Sequence, residues 1–374
     1  EDYVVNTIKN IHIGNNEKRY SYEFNEIGLL SSEVVESNEN EKWENNYRNS
    51  YKYDNSGKKL ESNYDIWKSN QWVNSDREIF TYDGDNLIID LYQSWYNGRW
   101  NNGFRKSYAY DTNNQVITNI KEDWVNNSWE NYTKINYEYD NNGNLIQKLS
   151  HDWQNKKWID TNRISYGYDK KGNKISELYE EKNQNKYKKI YLFEYQYDNQ
   201  DRIINETTYD FSGNNANPET KTTYQYDSGN LVQELYQYHF NNEWINGTRD
   251  TYNYNDKNQL ISKIIETWEN EEWVKHMRLT KKYNKKGLFV FALYEIWEDG
   301  EYVDGSGRIE FFDSKGNKYK FYHVTRIDIN WKELLTKVGY RKTELVNHTF
   351  PNPFTTSTTI EYTIDKPARV KIDI

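Results

Sequence analysis

The pattern Tyr-x-Tyr-Asp returns at an almost constant interval through most of this chain, and that interval constrains the fold more than any other feature. It occurs at Tyr51/Tyr53/Asp54, Tyr108/Tyr110/Asp111, Tyr137/Tyr139/Asp140, Tyr166/Tyr168/Asp169, Tyr195/Tyr197/Asp198 and Tyr224/Tyr226/Asp227. Variants stand at Phe80/Tyr82/Asp83 and Tyr252/Tyr254/Asn255, with degenerate copies at Phe24-Asn25, Tyr283-Asn284 and Phe312-Asp313. Taking the second aromatic as anchor gives positions 24, 53, 82, 110, 139, 168, 197, 226, 254, 283 and 312, so eight intervals are 29 residues and two are 28. Both short intervals lose their residue in a turn, where Asp83-Gly-Asp-Asn86 and Asp227-Ser-Gly-Asn230 replace the fuller Asp140-Asn-Asn-Gly-Asn144.

Each copy reads as two strands and two turns. Asp140 to Asn144 supplies Asn and Gly where a tight turn needs positive φ. Leu145, Leu149 and Trp153 share one parity, and Gln154-Asn-Lys-Lys157 is a polar connection. On the return strand, period two places Trp158, Ile164, Tyr166 and Tyr168 on one face and Thr161, Arg163 and Ser165 on the other. Helical periodicity is missing. The fold class is all-β: tandem 29-residue β-hairpin repeats forming a long coiled meander of about twenty-two strands, shell- or barrel-like, followed by the start of a small β-sandwich. A bare aromatic face is costly, so the Tyr/Trp face is expected to turn inward as the sheet twists.

Composition supports a folded chain. Mean hydropathy is −1.17, yet 17% of the 374 residues are aromatic, and each buried aromatic removes about 150–250 Å² from water. With 49 Lys+Arg against 58 Asp+Glu the net charge is −9, the wrong sign for nucleic acid or an anionic membrane. The absence of cysteine excludes disulfides and thiolate chemistry. The longest apolar run, Leu288 to Tyr294, is too short for a membrane helix, so no direct membrane insertion is expected. The chain begins at Glu1, which is expected to follow a removed signal peptide or an internal start.

Tryptophans recur five residues apart at Trp67/Trp72, Trp95/Trp100, Trp124/Trp129, Trp153/Trp158 and Trp268/Trp273. Residues bracketing a hairpin connection face each other, so each pair is expected to stack and clamp the hairpin end. Alternatively, Trp67, Trp72, Trp95, Trp100, Trp124, Trp129, Trp153 and Trp158 form a ladder of platforms for sugar rings. A basic ladder at Arg48, Arg77, Arg105, Lys134, Arg163, Lys221, Arg249 and Arg278 has the parity opposite to the tyrosines. The hairpin register pairs Asp90 with Arg105, Glu206 with Lys221 and Glu234 with Arg249, so cross-strand ion pairs are expected. Asp140-x-Asn-Gly-Asn resembles the opening of a calcium loop, but the twelfth position is His151 rather than Glu, so turns are expected and no cofactor or metal. No nucleophile, base and orienting group assemble along the sequence, and the chain is read as a non-enzyme with no catalytic residues.

Tyr137-Glu-Tyr-Asp-Asn-Asn-Gly-Asn-Leu-Ile146 resembles the YD repeat of the RHS/teneurin family. That resemblance implies a strip of hairpins spiralling into a hollow shell, sometimes around a toxin, although the unit here is longer and carries an added Trp-connection-Trp hairpin. Residues 1–317 are assigned to the repeat domain, 318–347 to a connector and 348–374 to a further segment holding three of the four prolines. Phe350-Pro351-Asn352-Pro353-Phe354, the Thr-rich step after it and the alternation Ile360, Tyr362, Ile364 resemble the start of a type A C-terminal sorting domain of type IX secretion cargo. The resemblance implies export across the outer membrane, with these residues contacting the outer-membrane translocon and its shuttle barrel. A secreted or cell-surface location follows, with a structural or adhesive passenger. A glycan-binding protein and a toxin-enclosing shell are the alternatives.

Overall fold

The structure is a computed structural model describing residues 2–11, 17–39, 41–212, 215–333, 349–350 and 359–360. Every regular element among the described residues is a β-strand, numbered here in chain order. The meander begins with β1 (Tyr3–Ile11), β2 (Glu17–Phe24) and β3 (Leu30–Glu39), and each strand pairs antiparallel with the next as far as β20 (Glu272–Tyr283) and β21 (Phe289–Glu298). A short strand, β22 (Glu301–Asp304), pairs with the end of β21. A separate hairpin follows, β23 (Gly307–Phe312) with β24 (Lys318–Val324). The next strand, β25 (Arg326–Glu333), closes the ring: it pairs with β21 over Phe291–Leu293 and with β1 from Ile11 back to Tyr3. Twenty-one meander strands and β25 thus form a closed barrel, which leaves the long sheet without free edges.

Within the segment 318–347 read above as a connector, Lys318–Val324 is the hairpin strand β24 and Arg326–Glu333 is the strand β25 that closes the ring. The closing strand departs from the repeat pattern: Ile327 and Ile329 are buried and alternate with polar residues. Residues 335–374 form a second unit. Its described residues are β26 (Thr349–Phe350) and β27 (Thr359–Ile360), paired antiparallel. The rest of the expected β-sandwich start lies outside the described residues.

The two turns of each repeat follow from their residues. At the Trp end both central residues have positive φ, as at Ser69/Asn70 (52° and 60°) and Asn126/Asn127 (50° and 61°), the geometry whose twist matches the strands. At the Asp end, Asp140 Oδ1 accepts the N–H groups of Asn142 and Asn144 at 2.8 and 2.9 Å, and Gly143 has φ +83°.

One register feature overturns the sequence reading of the faces. Every Trp-bearing return strand has one residue inserted relative to its partner, seen where Ser150 pairs with Asn162 but His151 pairs with Asp160, leaving Thr161 bulged. A single extra residue inverts the alternation beyond it. Trp158 therefore shares its face with Arg163, not with Tyr166 and Tyr168, and the barrel has a tryptophan–arginine face and a tyrosine face.

The β23–β24 hairpin lies on the tyrosine face next to the seam. Tyr20 meets Phe321 and Tyr22 meets Tyr319 edge to face, each with ring centroids 5.1 Å apart. Around them Val5, Ile8, Val35, Ile309, Val324 and Ile327 are buried, and this is the main apolar core.

Candidate functional site

On the tryptophan–arginine face the paired rings meet as expected. Trp67/Trp72, Trp95/Trp100, Trp124/Trp129, Trp153/Trp158 and Trp268/Trp273 pack edge to face with centroids 4.9–5.1 Å apart, worth about 0.5–1.5 kcal/mol per pair beyond burial. The second ring of each pair carries a cation from the preceding repeat: Arg48 over Trp72 at 5.0 Å, Arg77 over Trp100 at 4.5 Å, Arg105 over Trp129 at 4.6 Å and Lys134 over Trp158 at 5.1 Å. All eight candidate glycan-contact tryptophans remain half-buried.

The same cations make the ion pairs, but with other partners than the sequence register indicated. The bulge moves Arg105 opposite Leu91, Lys221 opposite Thr207 and Arg249 opposite Leu235. The acids of the arginines lie instead on the following strand: Arg48 bonds Asp65, Arg105 bonds Glu122 at 2.5 Å, Arg163 bonds Glu180 at 2.7 Å and Arg249 bonds Glu266 at 2.8 Å, while Lys221 stands opposite Gln237 there. Asp65 and Glu180 are buried beneath their arginines. Hydrogen bonding to Glu180 raises the Arg163 pKa further.

Repeats such as those of Arg48, Arg105, Arg163, Arg249 and Arg278 therefore supply a cation, an acid seventeen residues on and an aromatic ring twenty-four residues on, whereas Arg77 and Lys221 meet Gln93 and Gln237 in place of the acid. One repeat loses all three together, with Leu192 opposite Tyr209 and Ala216 in the ring position. In another, Lys134 faces His151, which is buried between Asp160 and Asn136; its Nδ1 lies 2.9 Å from Asp160 and its Nε2 3.1 Å from Asn136 Nδ2. Burial, then the nearby Lys134 charge, lowers the His151 pKa below the usual value.

The tyrosine face has its own ladder, which sequence reasoning missed. The anchor hydroxyl donates to a backbone carbonyl twenty-three residues earlier: Tyr53 to Leu30 at 2.8 Å, Tyr139 to Val116 at 2.9 Å, Tyr168 to Leu145 at 2.8 Å and Tyr254 to Leu231 at 2.8 Å. The signal was present, because the second anchor is tyrosine in every full copy where phenylalanine would pack equally well.

A cavity of about 400 Å³ opens on this face where the hairpin rests on the first strands. Asn10, Tyr20, Tyr22, Glu33, Tyr47, Tyr319 and Phe321 are among the residues that line it, with Lys18, Lys318 and Lys320 also in the lining. Burial raises the Glu33 pKa, partly offset by Asn49, whose amide donates to it at 2.6 Å, and by the neighbouring Tyr22 hydroxyl. Nothing in the repeat pattern marks this place, because Asn10 and the hairpin stand outside the regular copies.

Of the expected translocon-contact residues, Phe350 and Ile360 fall in the short paired strands, opposite Thr359 and Thr349. Pro351, Asn352, Pro353, Phe354, Tyr362 and Ile364 lie outside the described residues. Among the described residues no helix is long and apolar enough to cross a membrane, and no cluster of His, Cys, Asp and Glu has metal-binding geometry.

No family model and no curated protein sequence matches the chain. Solved structures share local geometry with it. A protein of unknown function from Bacteroides fragilis is 16% identical, over 32% of this chain and 91% of its own, with a TM-score of 0.28. The TcdB2-TccC3-Cdc42 structure is 13% identical over 82% of this chain and 20% of its own, at 0.29. A porin-like protein from Bacteroides uniformis is 9% identical over 78% and 96%, at 0.27. Similarity at this level assigns no function.

Proposed function

We propose that the chain is an exported, non-enzymatic scaffold: a closed β-meander passenger carried to the cell surface or medium by a C-terminal type IX sorting segment. The reading of the passenger rests on one observation. Its most regular side chains, the cation–acid–ring sets and the tyrosine hydroxyls, are engaged with the neighbouring repeat. Such ladders stiffen a shell from unit to unit, and they leave few of the repeated groups available for chemistry. The reading of the address rests on Phe350 to Ile364, which resemble the sorting-domain opening.

The test is to express the full chain and a version lacking residues 348–374 in a type IX-competent bacterium, then assay surface and medium. The shortened protein is expected to accumulate in the periplasm, and Phe350→Ala is expected to reduce export. Equal export of all three would refute the address.

Glycan contact along the tryptophan ladder is the second reading, favoured by the half-exposed rings. It expects soluble polysaccharide to shield Trp fluorescence from quenchers. Unchanged quenching across a polysaccharide panel rejects it.

A further inference from the structure

Two polar side chains in the cavity beside the hairpin lack a hydrogen bond of normal geometry, although each has a polar neighbour, Tyr20 beside Asn10 and Glu33 beside Tyr22. Asn10 is 1% exposed, and neither its amide nitrogen nor its amide oxygen has a hydrogen bond of normal geometry, although Tyr20 is adjacent. The Tyr22 hydroxyl, close to Glu33, is likewise buried without one. Leaving such groups unsatisfied is costly, about 1–3 kcal/mol each, and where they line a cavity a group from outside the protein can complete them.

We propose that this cavity is a binding site for a neutral saccharide of one or two rings, held by Asn10, Tyr22 and Glu33 between aromatic walls. This assignment is separate from the export reading and from the tryptophan ladder, which lies on the other face.

The chemistry of the lining selects that class. Asn10 offers one donor and one acceptor side by side, which suits adjacent hydroxyls that donate and accept in turn. Tyr20, Tyr47, Tyr319 and Phe321 present aromatic carbon to the C–H flank of a ring. A purely apolar ligand would leave Asn10 unsatisfied. A cation would meet Lys18, Lys318 and Lys320 in the lining, and an anion would meet Glu33. A cavity of about 400 Å³ lies within the usual range for small-ligand sites.

The test is titration calorimetry, with saturation-transfer NMR, of the full chain with glucose, galactose, mannose, N-acetylglucosamine, cellobiose and maltose. Choline and glucose 6-phosphate serve as charged comparators. Asn10→Leu and Tyr22→Phe remove these polar groups while preserving bulk. At least one neutral saccharide is expected to bind, and each variant is expected to weaken it roughly tenfold or more. Neither variant should lower the Tm appreciably, because neither removes a hydrogen bond of normal geometry. The proposal is overturned if no neutral saccharide binds, if only choline or the phosphate binds, or if both variants bind as the parent does. A fall in Tm in both variants without saccharide binding would assign the cavity to structural water, and also overturns it.

Discussion

Glu180 is the residue that best shows how a repeat holds its neighbour. It lies buried under Arg163, whose guanidinium stacks 4.3 Å over Tyr187 while bonding the carboxylate. Removing only the arginine strands a buried charge. Arg163→Ala is expected to cost about 2 kcal/mol, between the exposed-pair and buried-pair values. In Arg163→Ala/Glu180→Gln much of that loss should return, and thermal or urea unfolding of the double-mutant cycle measures it. Additive losses would show that the pair is uncoupled. His151 gives the residue-scale pH dependence. Its folded pKa lies below the reference value of 6.5, so the unfolded chain binds the proton more readily. The stability from neutral His151 is therefore complete above about pH 6.5 and is lost as pH falls from there toward the folded pKa. Melting curves at pH 7 and pH 5 should show a smaller acid-induced drop for His151→Gln than for the parent. An equal or larger drop would contradict the assignment.

At the scale of the element, the bulge decides which face a side chain joins. Deleting Thr161 would give the strand a regular register and turn Trp158 toward the tyrosine face. That variant is expected to lose several kcal/mol or fail to fold, because a ring pair, a cation contact and a hairpin end are disrupted together. Deleting Asn141 from the Asp140 turn should cost only about 1 kcal/mol or less, since the repeats at Asp83↔Asn86 and Asp227↔Asn230 already use the shorter turn. Comparing the two Tm values tests whether the bulge or mere strand length matters. The turns, the strand order and the stacking of Trp153 on Trp158 were legible because each depends on residues a few positions apart. The bulge was not, since Thr161, Tyr132 and Gly103 occupy equivalent places with no common chemistry. Gly103 has a reason of its own: a Cβ there would come within 2.7 Å of the Tyr92 ring. Missing the bulge misassigned the partners of Arg105 and Arg249 and joined the two aromatic ladders on one face. The cavity was hidden for a different reason, because it depends on β24 meeting β1 to β3 across almost the whole sequence.

At the scale of the whole molecule, the seam is the structural decision. The register of β25 against β1 sets Ile329 opposite Ile8 and Asn330 opposite Thr7, and buried Val5, Ile8, Ile327 and Ile329 hold it. Without β25, strand β1 would expose a long unpaired edge and β21 the short one at Phe291–Leu293. A chain ending at residue 325 is therefore expected to aggregate, while one ending at 334 remains monodisperse by light scattering. Closure itself can be measured directly because the chain has no cysteine of its own. Asn330 Nδ2 lies 3.1 Å from Thr7 Oγ1 across the seam, so Thr7→Cys/Asn330→Cys places two thiols within bonding reach. Mild oxidation of the double variant, followed by non-reducing electrophoresis and peptide mapping, is expected to give one intramolecular cross-link in near-complete yield. Thiols that stay free, or that join only between molecules, would show that the meander is open and contradict the closed barrel.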